Sequence, residues 1–267
     1  MNADRPSSQS PNAIGLDFKC RLAGNDILLG GIVQEYLYPS LIKLYARAGF
    51  DFLFLEMEHA LFNPREFSAF VLAARDARIP VISKIAELNR SETARLLDSG
   101  VTGIQLPRTE SRSDLTQLVD YVKYLPTGNR AGAPGFGNTD YTLPEDHAAW
   151  LEETNRATVI VAHIETAKGY ANCEEIVTTP RLDMVYVGPY DFSIAMGHPG
   201  QYDHPVVRKA MEEILNTCNT YGMPFGTTAS TVPAGKDWIT KGCRFFEVID
   251  ELSLIAEGAA ATVKAYR

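Results

Sequence analysis

Asp51-Phe52-Leu53-Phe54-Leu55-Glu56-Met57 is followed by Pro64-Arg65-Glu66-Phe67-Ser68-Ala69-Phe70-Val71-Leu72-Ala73-Ala74-Arg75-Asp76-Ala77 and then by Pro80-Val81-Ile82-Ser83-Lys84-Ile85. The outer two stretches are short apolar runs and read as strands. The middle one opens on Pro64, which suits the first turn of a helix, and keeps apolar residues at helical spacing. Strand, helix and strand with short connections predict a parallel pair, because the crossover helix returns the chain to the same sheet end.

The same alternation extends in both directions. Upstream, an apolar, Gly-rich run at 28–33 precedes a helix-like segment at 38–48. Downstream, strands are expected at 103–107, 158–164, 182–187, 224–228 and 244–249. Helices are expected at 91–99 (ended by Gly100), 114–124, 171–177, 206–221, 234–241 and 252–266. Eight strand–helix pairs predict an α/β chain folded as a single (β/α)₈ TIM barrel over 15–267, with a flexible, Ser/Pro/Asn-rich tail at 1–14. An open dinucleotide-binding sheet is not supported, since Gly30-Gly31 belongs to no Gly-x-Gly-x-x-Gly turn. One connection, 126–156, is long and glycine-rich at its start; it either covers a site or forms a surface excursion with a short helix near 145–153.

The 267 residues carry 25 Lys+Arg against 33 Asp+Glu, a formal charge of −8, which argues against a general nucleic-acid binder. With 45% hydrophobic and 22% charged residues the composition is that of a globular domain. No apolar run reaches the roughly 18–20 residues that span a bilayer. With no hydrophobic signal core near Met1, a cytoplasmic protein is expected, with Cys20, Cys173, Cys218 and Cys243 as reduced thiols.

In such a barrel the chemistry sits at the C-terminal strand ends. There the sequence places Glu56-Met57-Glu58-His59, Ser83-Lys84, His163-Ile164-Glu165 and Val187-Gly188-Pro189-Tyr190-Asp191. Glu165 and Asp191, from adjacent strand ends, suit a hard divalent cation such as Mg²⁺ or Mn²⁺, or serve only as helix caps. His163 shares a strand face with Glu165, as a further ligand or as a hydrogen-bonded interior histidine. No P-loop and no nucleophile elbow is present, and the last two strand ends lack a glycine-rich phosphate cradle, so a non-phosphorylated substrate is expected. Phe52, Phe54, Phe245 and Phe246 read as core.

Taken together, Ala48-Gly49-Phe50-Asp51 leading to Glu58-His59, His163-Ile164-Glu165-Thr166 and Val187-Gly188-Pro189-Tyr190-Asp191-Phe192-Ser193 resemble the HpcH/HpaI family of class II, metal-dependent 2-oxo-acid aldolases. Leu97-Asp98-Ser99-Gly100, Tyr124-Leu125-Pro126-Thr127-Gly128 and His204-Pro205 add to the likeness, which runs from about Phe18 to the C-terminus. The resemblance implies Glu165 and Asp191 as ligands of Mg²⁺ or Mn²⁺, with Co²⁺ or Zn²⁺ as other options. It implies His59 as catalytic base or proton relay and Glu56 as the acid that supports it. Gly188 and Pro189 would bind substrate, and Arg130 would be a loop arginine near the site. Asp98 would reach a neighbouring subunit's site in a homohexamer, a trimer of dimers with an exchanged C-terminal helix. The partners implied are a 2-oxo acid such as pyruvate and an aldehyde, with no nucleic acid and no membrane.

Two positions depart from the family: His163 stands where the fifth strand usually holds a glutamine, and Lys84 is the other. Lys84 stands where an arginine is usual, keeping the charge but losing the planar fork. The implied activity is aldol cleavage or addition through an enolate of the 2-oxo acid. The alternatives are a related condensing enzyme, a catalytically altered family member, or a Schiff-base aldolase using Lys84.

Overall fold

The computed structural model describes residues 10–229 and 231–267. The chain opens with α1 (Pro11–Ala23), then β1 (Leu28–Val33), α2 (Pro39–Ala48), β2 (Phe52–Glu56), α3 (Pro64–Asp76), β3 (Val81–Lys84), α4 (Arg90–Ser99), β4 (Gly103–Leu106) and α5 (Arg112–Val122). It continues through α6 (His147–Ala157), β5 (Val159–Ile164), α7 (Ala167–Ala171), α8 (Cys173–Val177), β6 (Met184–Val187), α9 (Pro189–Ala195) and α10 (Pro205–Tyr221). The last elements are β7 (Phe225–Thr227), α11 (Val232–Lys241), β8 (Phe245–Asp250) and α12 (Glu251–Tyr266). Local chemistry sets these limits. The Asn63 side chain accepts from the Arg65 N–H to start α3, and left-handed Gly49 and Gly100 stop α2 and α4.

The eight strands are all parallel and close in sequence order, β8 pairing back onto β1. This is the expected (β/α)₈ barrel. Inside it, Phe52, Phe54, Ile82, Val161, Met184 and Phe245 pack as one apolar cluster. Gly30 makes room for this cluster, since a Cβ there would lie 2.1 Å from the Phe52 ring. Helix α1 plugs the N-terminal end: the Phe18 ring lies 5.7 Å from Phe52 and 6.4 Å from Phe245. A second, larger apolar layer joins the outer strand faces to the helices.

Two expectations need correction, and the 126–156 connection takes the second of its two readings, an excursion with its own helix, α6. The tail predicted for 1–14 is helical from Pro11, with Ile14 buried, because apolar residues of α1 close the barrel floor; residues 1–9 lie outside the described residues. The segment expected as one helix at 171–177 is two short ones, and α9 was not expected at all. The long connection at 126–156 runs from a helix to a strand, so it lies at the N-terminal face and does not cover the mouth. Its Gly137 packs on Ser99 at the end of α4, and the Gly137 carbonyl accepts from Arg75 at 3.1 Å.

All four cysteines are unpaired, with Cys20 exposed and the other three buried. No helix among the described residues is long and apolar enough to cross a membrane. Helix α12 leaves the barrel: from Leu254 onward every residue is exposed, including Ile255 and Val263.

Candidate active site

The C-terminal strand ends surround a cavity of about 270 Å³, lined by Glu56, Lys84, His163, Glu165, Gly188, Pro189 and Asp191 among others. Glu56 and Lys84 are the last residues of β2 and β3 and stand opposite each other in register. The Lys84 ammonium lies 3.2 Å from Glu56 Oε2 and 2.6 Å from Glu58 Oε2. Burial by itself would lower the Lys84 pKa, but the carboxylates of Glu56, Glu58 and Glu165 outweigh it and hold the amine protonated. Glu56 uses its other oxygen, Oε1, to accept the backbone N–H groups of Glu58 (2.7 Å) and His59 (3.1 Å), which folds the turn after β2.

Across the mouth, β5 presents His163 and Glu165. The Glu165 carboxylate is almost wholly buried, and its Oε1 accepts the Arg108 N–H at 2.7 Å. Its pKa is pushed up to about 7, first by burial and further by the Glu58 and Asp191 carboxylates, while Lys84 and the Arg108 N–H pull the other way. Asp191 faces the same cavity from the first turn of α9. Gly188 joins β6 to α9 beside His163: a Cβ there would sit 2.3 Å from His163 Nε2 and 3.5 Å from Glu165 Oε2.

Two carboxylates of different strand ends that repel each other across one cavity form a donor set suited to a hard divalent cation, which would remove that repulsion. Glu165 and Asp191 therefore fit the metal that the family resemblance implies. Glu56, Glu58 and His59 also bring three ligand atoms within 4.8 Å of one another. There, however, the Lys84 ammonium already neutralises the carboxylates, which leaves less for a cation to gain.

His163 is the interior histidine of the two readings. Its Nδ1 lies 3.3 Å from the Gln105 amide nitrogen, and burial, followed by the Lys84 charge, pushes its pKa well below the ordinary value. Its Nε2 lies 3.2 Å from Glu165 Oε2.

Other expected residues are placed differently. His59 stands exposed at the rim, outside the cavity lining, and the acid beside its ring is Glu58 at 3.7 Å; Glu56 supports it through the backbone alone. Arg130 is not at this chain's mouth. It follows α5, which brings it to the N-terminal face, where its buried guanidinium binds Asp98 at 2.7 Å and stacks on Tyr124. Asp98 likewise stands apart from its own mouth, on a groove of about 430 Å³ that Met57, Phe67 and Phe136 help to line.

Sequence reasoning named Glu58 without giving it a role and missed Gln105, Tyr186 and Glu247. Glu58 was legible as the residue next to His59. Gln105 and Tyr186 lie on strands buried on both faces, where nothing marks the inward side, and Glu247 lies in the fully buried first half of β8.

The family model for HpcH/HpaI aldolase/citrate lyase matches residues 37–255. A 5-keto-4-deoxy-D-glucarate aldolase of Shigella sonnei is 28% identical over 240 residues, covering 89% of this chain and 91% of that one. An HpcH/HpaI aldolase from Desulfitobacterium hafniense superposes with a TM-score of 0.88 at 27% identity, over 93% of this chain and 95% of that one. Macrophomate synthase shares the fold, with a TM-score of 0.81 at 24% identity, over 100% of this chain and 95% of that one.

Proposed function

The chain belongs to the HpcH/HpaI aldolase/citrate lyase family, and from that premise we propose that it is a divalent-metal-dependent aldolase joining or cleaving a 2-oxo acid and an aldehyde. The observation that carries the reading is the convergence of Glu165, Asp191 and Lys84 on one cavity at the C-terminal strand ends. Glu165 and Asp191 would hold Mg²⁺ or Mn²⁺. Bound there, the ion supplies Lewis acidity to the oxygens of the 2-oxo acid.

Aldol cleavage removes the hydroxyl proton, breaks the carbon–carbon bond with its electron pair moving toward the 2-oxo carbonyl, and returns a proton to C3. Lys84 places a fixed positive charge beside the oxygen on which negative charge develops. Glu56 and Glu58 hold that ammonium still, so little reorganisation is needed as the charge appears. The same two carboxylates keep the amine protonated, which disfavours Schiff-base attack by Lys84. His59 works from the rim, where its exposed ring exchanges protons with solvent. Gly188 and Pro189 line the cavity beside Glu165, where the substrate would sit. The apolar face of α12 and the position of Asp98 support assembly into a homohexamer, with α12 exchanged and Asp98 facing a neighbouring subunit.

The test pairs Glu165→Gln with Asp191→Asn. Each variant is expected to keep a folded circular-dichroism spectrum, to bind Mn²⁺ at least about tenfold more weakly by calorimetry, and to lose aldol cleavage. Full cleavage by both variants after exhaustive chelation would reject the reading.

A further inference from the structure

The end of the barrel opposite the mouth carries a separate cleft of about 940 Å³. Four cations line it: Lys19 on α1, Lys123 just after α5, Arg156 in the last turn of α6 and Arg181 just before β6. The last three stand where a helix gives way to the next strand, so closure of the barrel gathers them at its N-terminal end. Two carboxylates share the lining, Glu152 and Asp183. Asp183 is already committed, to the Lys19 ammonium at 2.6 Å and to the Ile160 N–H at 2.8 Å.

The side chains of Arg156 and Arg181 have no hydrogen-bond or ion-pair partner among the described residues. Arg181 holds a left-handed backbone (φ 71°), where glycine or asparagine fits with less strain, and still brings an arginine to the cleft. Lys123 is the buried member of the set. Its Nζ donates to the carbonyls of Asn155 at 2.8 Å and Thr158 at 2.6 Å, which leaves its third N–H without a partner among the described residues. Burial pulls this amine down to about 7; Asp183 opposes the fall, and the charges of Lys19, Arg181 and Arg130 add to it. Cations that repel one another and lack counter-charges gain from an incoming anion. The cluster stands out on a chain whose formal charge is −8.

The chemistry of the lining narrows the anion. Guanidinium groups present paired N–H donors that match phosphate oxygens, and a phosphate monoester concentrates about two negative charges on one group. One phosphate fills little of a cleft this size, and Leu125, Pro126 and Leu151 give the remainder an apolar wall. We infer that this cleft is a binding site for a phosphate monoester with an apolar or aromatic body, its phosphate held by Arg156, Arg181 and Lys123. A ligand held there lies across the barrel from Glu165 and Asp191 and takes no part in the reaction at the mouth.

The experiment titrates the full-length protein, with and without Mg²⁺, with phenyl phosphate, inorganic phosphate and succinate by calorimetry and thermal shift. Phenyl phosphate is expected to bind with a Kd below about 1 mM, at least about fivefold tighter than either of the other two. Arg156→Ser and Arg181→Asn, the latter suited to the left-handed backbone, change exposed residues and should each weaken it about 5–20-fold. Lys84→Met and Asp191→Asn, both at the mouth, should bind it like the wild type. Binding that survives both arginine changes, or that is lost in the mouth variants, would overturn the inference. So would succinate or inorganic phosphate binding as tightly as phenyl phosphate, or no binding of phenyl phosphate at about 10 mM.

Discussion

Lys84 is the residue whose replacement separates two chemistries. Its ammonium is wedged between Glu56 and Glu58, and the Glu165 carboxylate adds to the field around it. Lys84→Met removes the charge beside the developing oxyanion and should lower kcat by about 10²–10³-fold, with metal affinity changing much less. Lys84→Arg keeps both carboxylate partners and should stay within about tenfold of wild type. A Schiff-base enzyme would be dead with arginine, and borohydride would trap an imine on the wild type. Glu165 gives a second, pH-dependent outcome. Its carboxyl, pushed up to about 7 by burial, must lose its proton before it can hold a cation. Metal affinity should therefore rise with pH and level off above about 7, falling about tenfold per unit below that. Calorimetric Mn²⁺ titrations from pH 5.5 to 8 read this directly, and a flat profile would remove Glu165 from the ligand set.

At the scale of elements, the turn between β6 and α9 carries a sharp constraint. Gly188 has no room for a side chain because the His163 ring stands 2.3 Å from where its Cβ would be. Gly188→Ala should cost about 1–3 kcal/mol of stability in thermal melts and displace His163 and Glu165, weakening metal binding. An alanine variant with wild-type melting and wild-type Mn²⁺ affinity would show that the turn yields easily. Element positions were largely legible because their signals are local. Pro64 and Pro205 at helix starts, and Gly49, Gly100, Gly222 and Gly242 at helix ends, act through a few neighbouring bonds. Helix α1 was not legible, because its burial depends on Phe52 and Phe245, which arrive from β2 and β8.

For the whole molecule the open question is the company it keeps. Helix α12 presents Leu254, Ile255 and Val263 to solvent, and Asp98 stands on a groove away from its own mouth. Glu251 must stay, since its carboxylate accepts the backbone N–H groups of Gln34, Glu35 and Tyr36. A chain ending at Ser253 should therefore keep the barrel's circular dichroism but sediment as a smaller assembly than the full chain. If Asp98 serves a neighbour, that truncated form should also lose most turnover. A full-length protein that sediments as a fully active monomer would reject the shared-site assembly.

By itself the sequence determined the alternation of strand and helix, hence the barrel, and with it the strand ends that carry Glu56, Lys84, Glu165 and Asp191. These follow from short-range propensity, from capping and from the rule that parallel strands all end on one side. Only the tertiary structure decided which side chains turn inward. Strands β3 to β6 are buried on both faces, so no polar–apolar alternation marks Gln105 or Tyr186 as interior. Glu247, from β8, joins Gln105, from β4, only because the closed barrel brings both to one interior. Closure also sent Arg130 to the opposite end from the mouth, since a connection from helix to strand emerges where the strands begin.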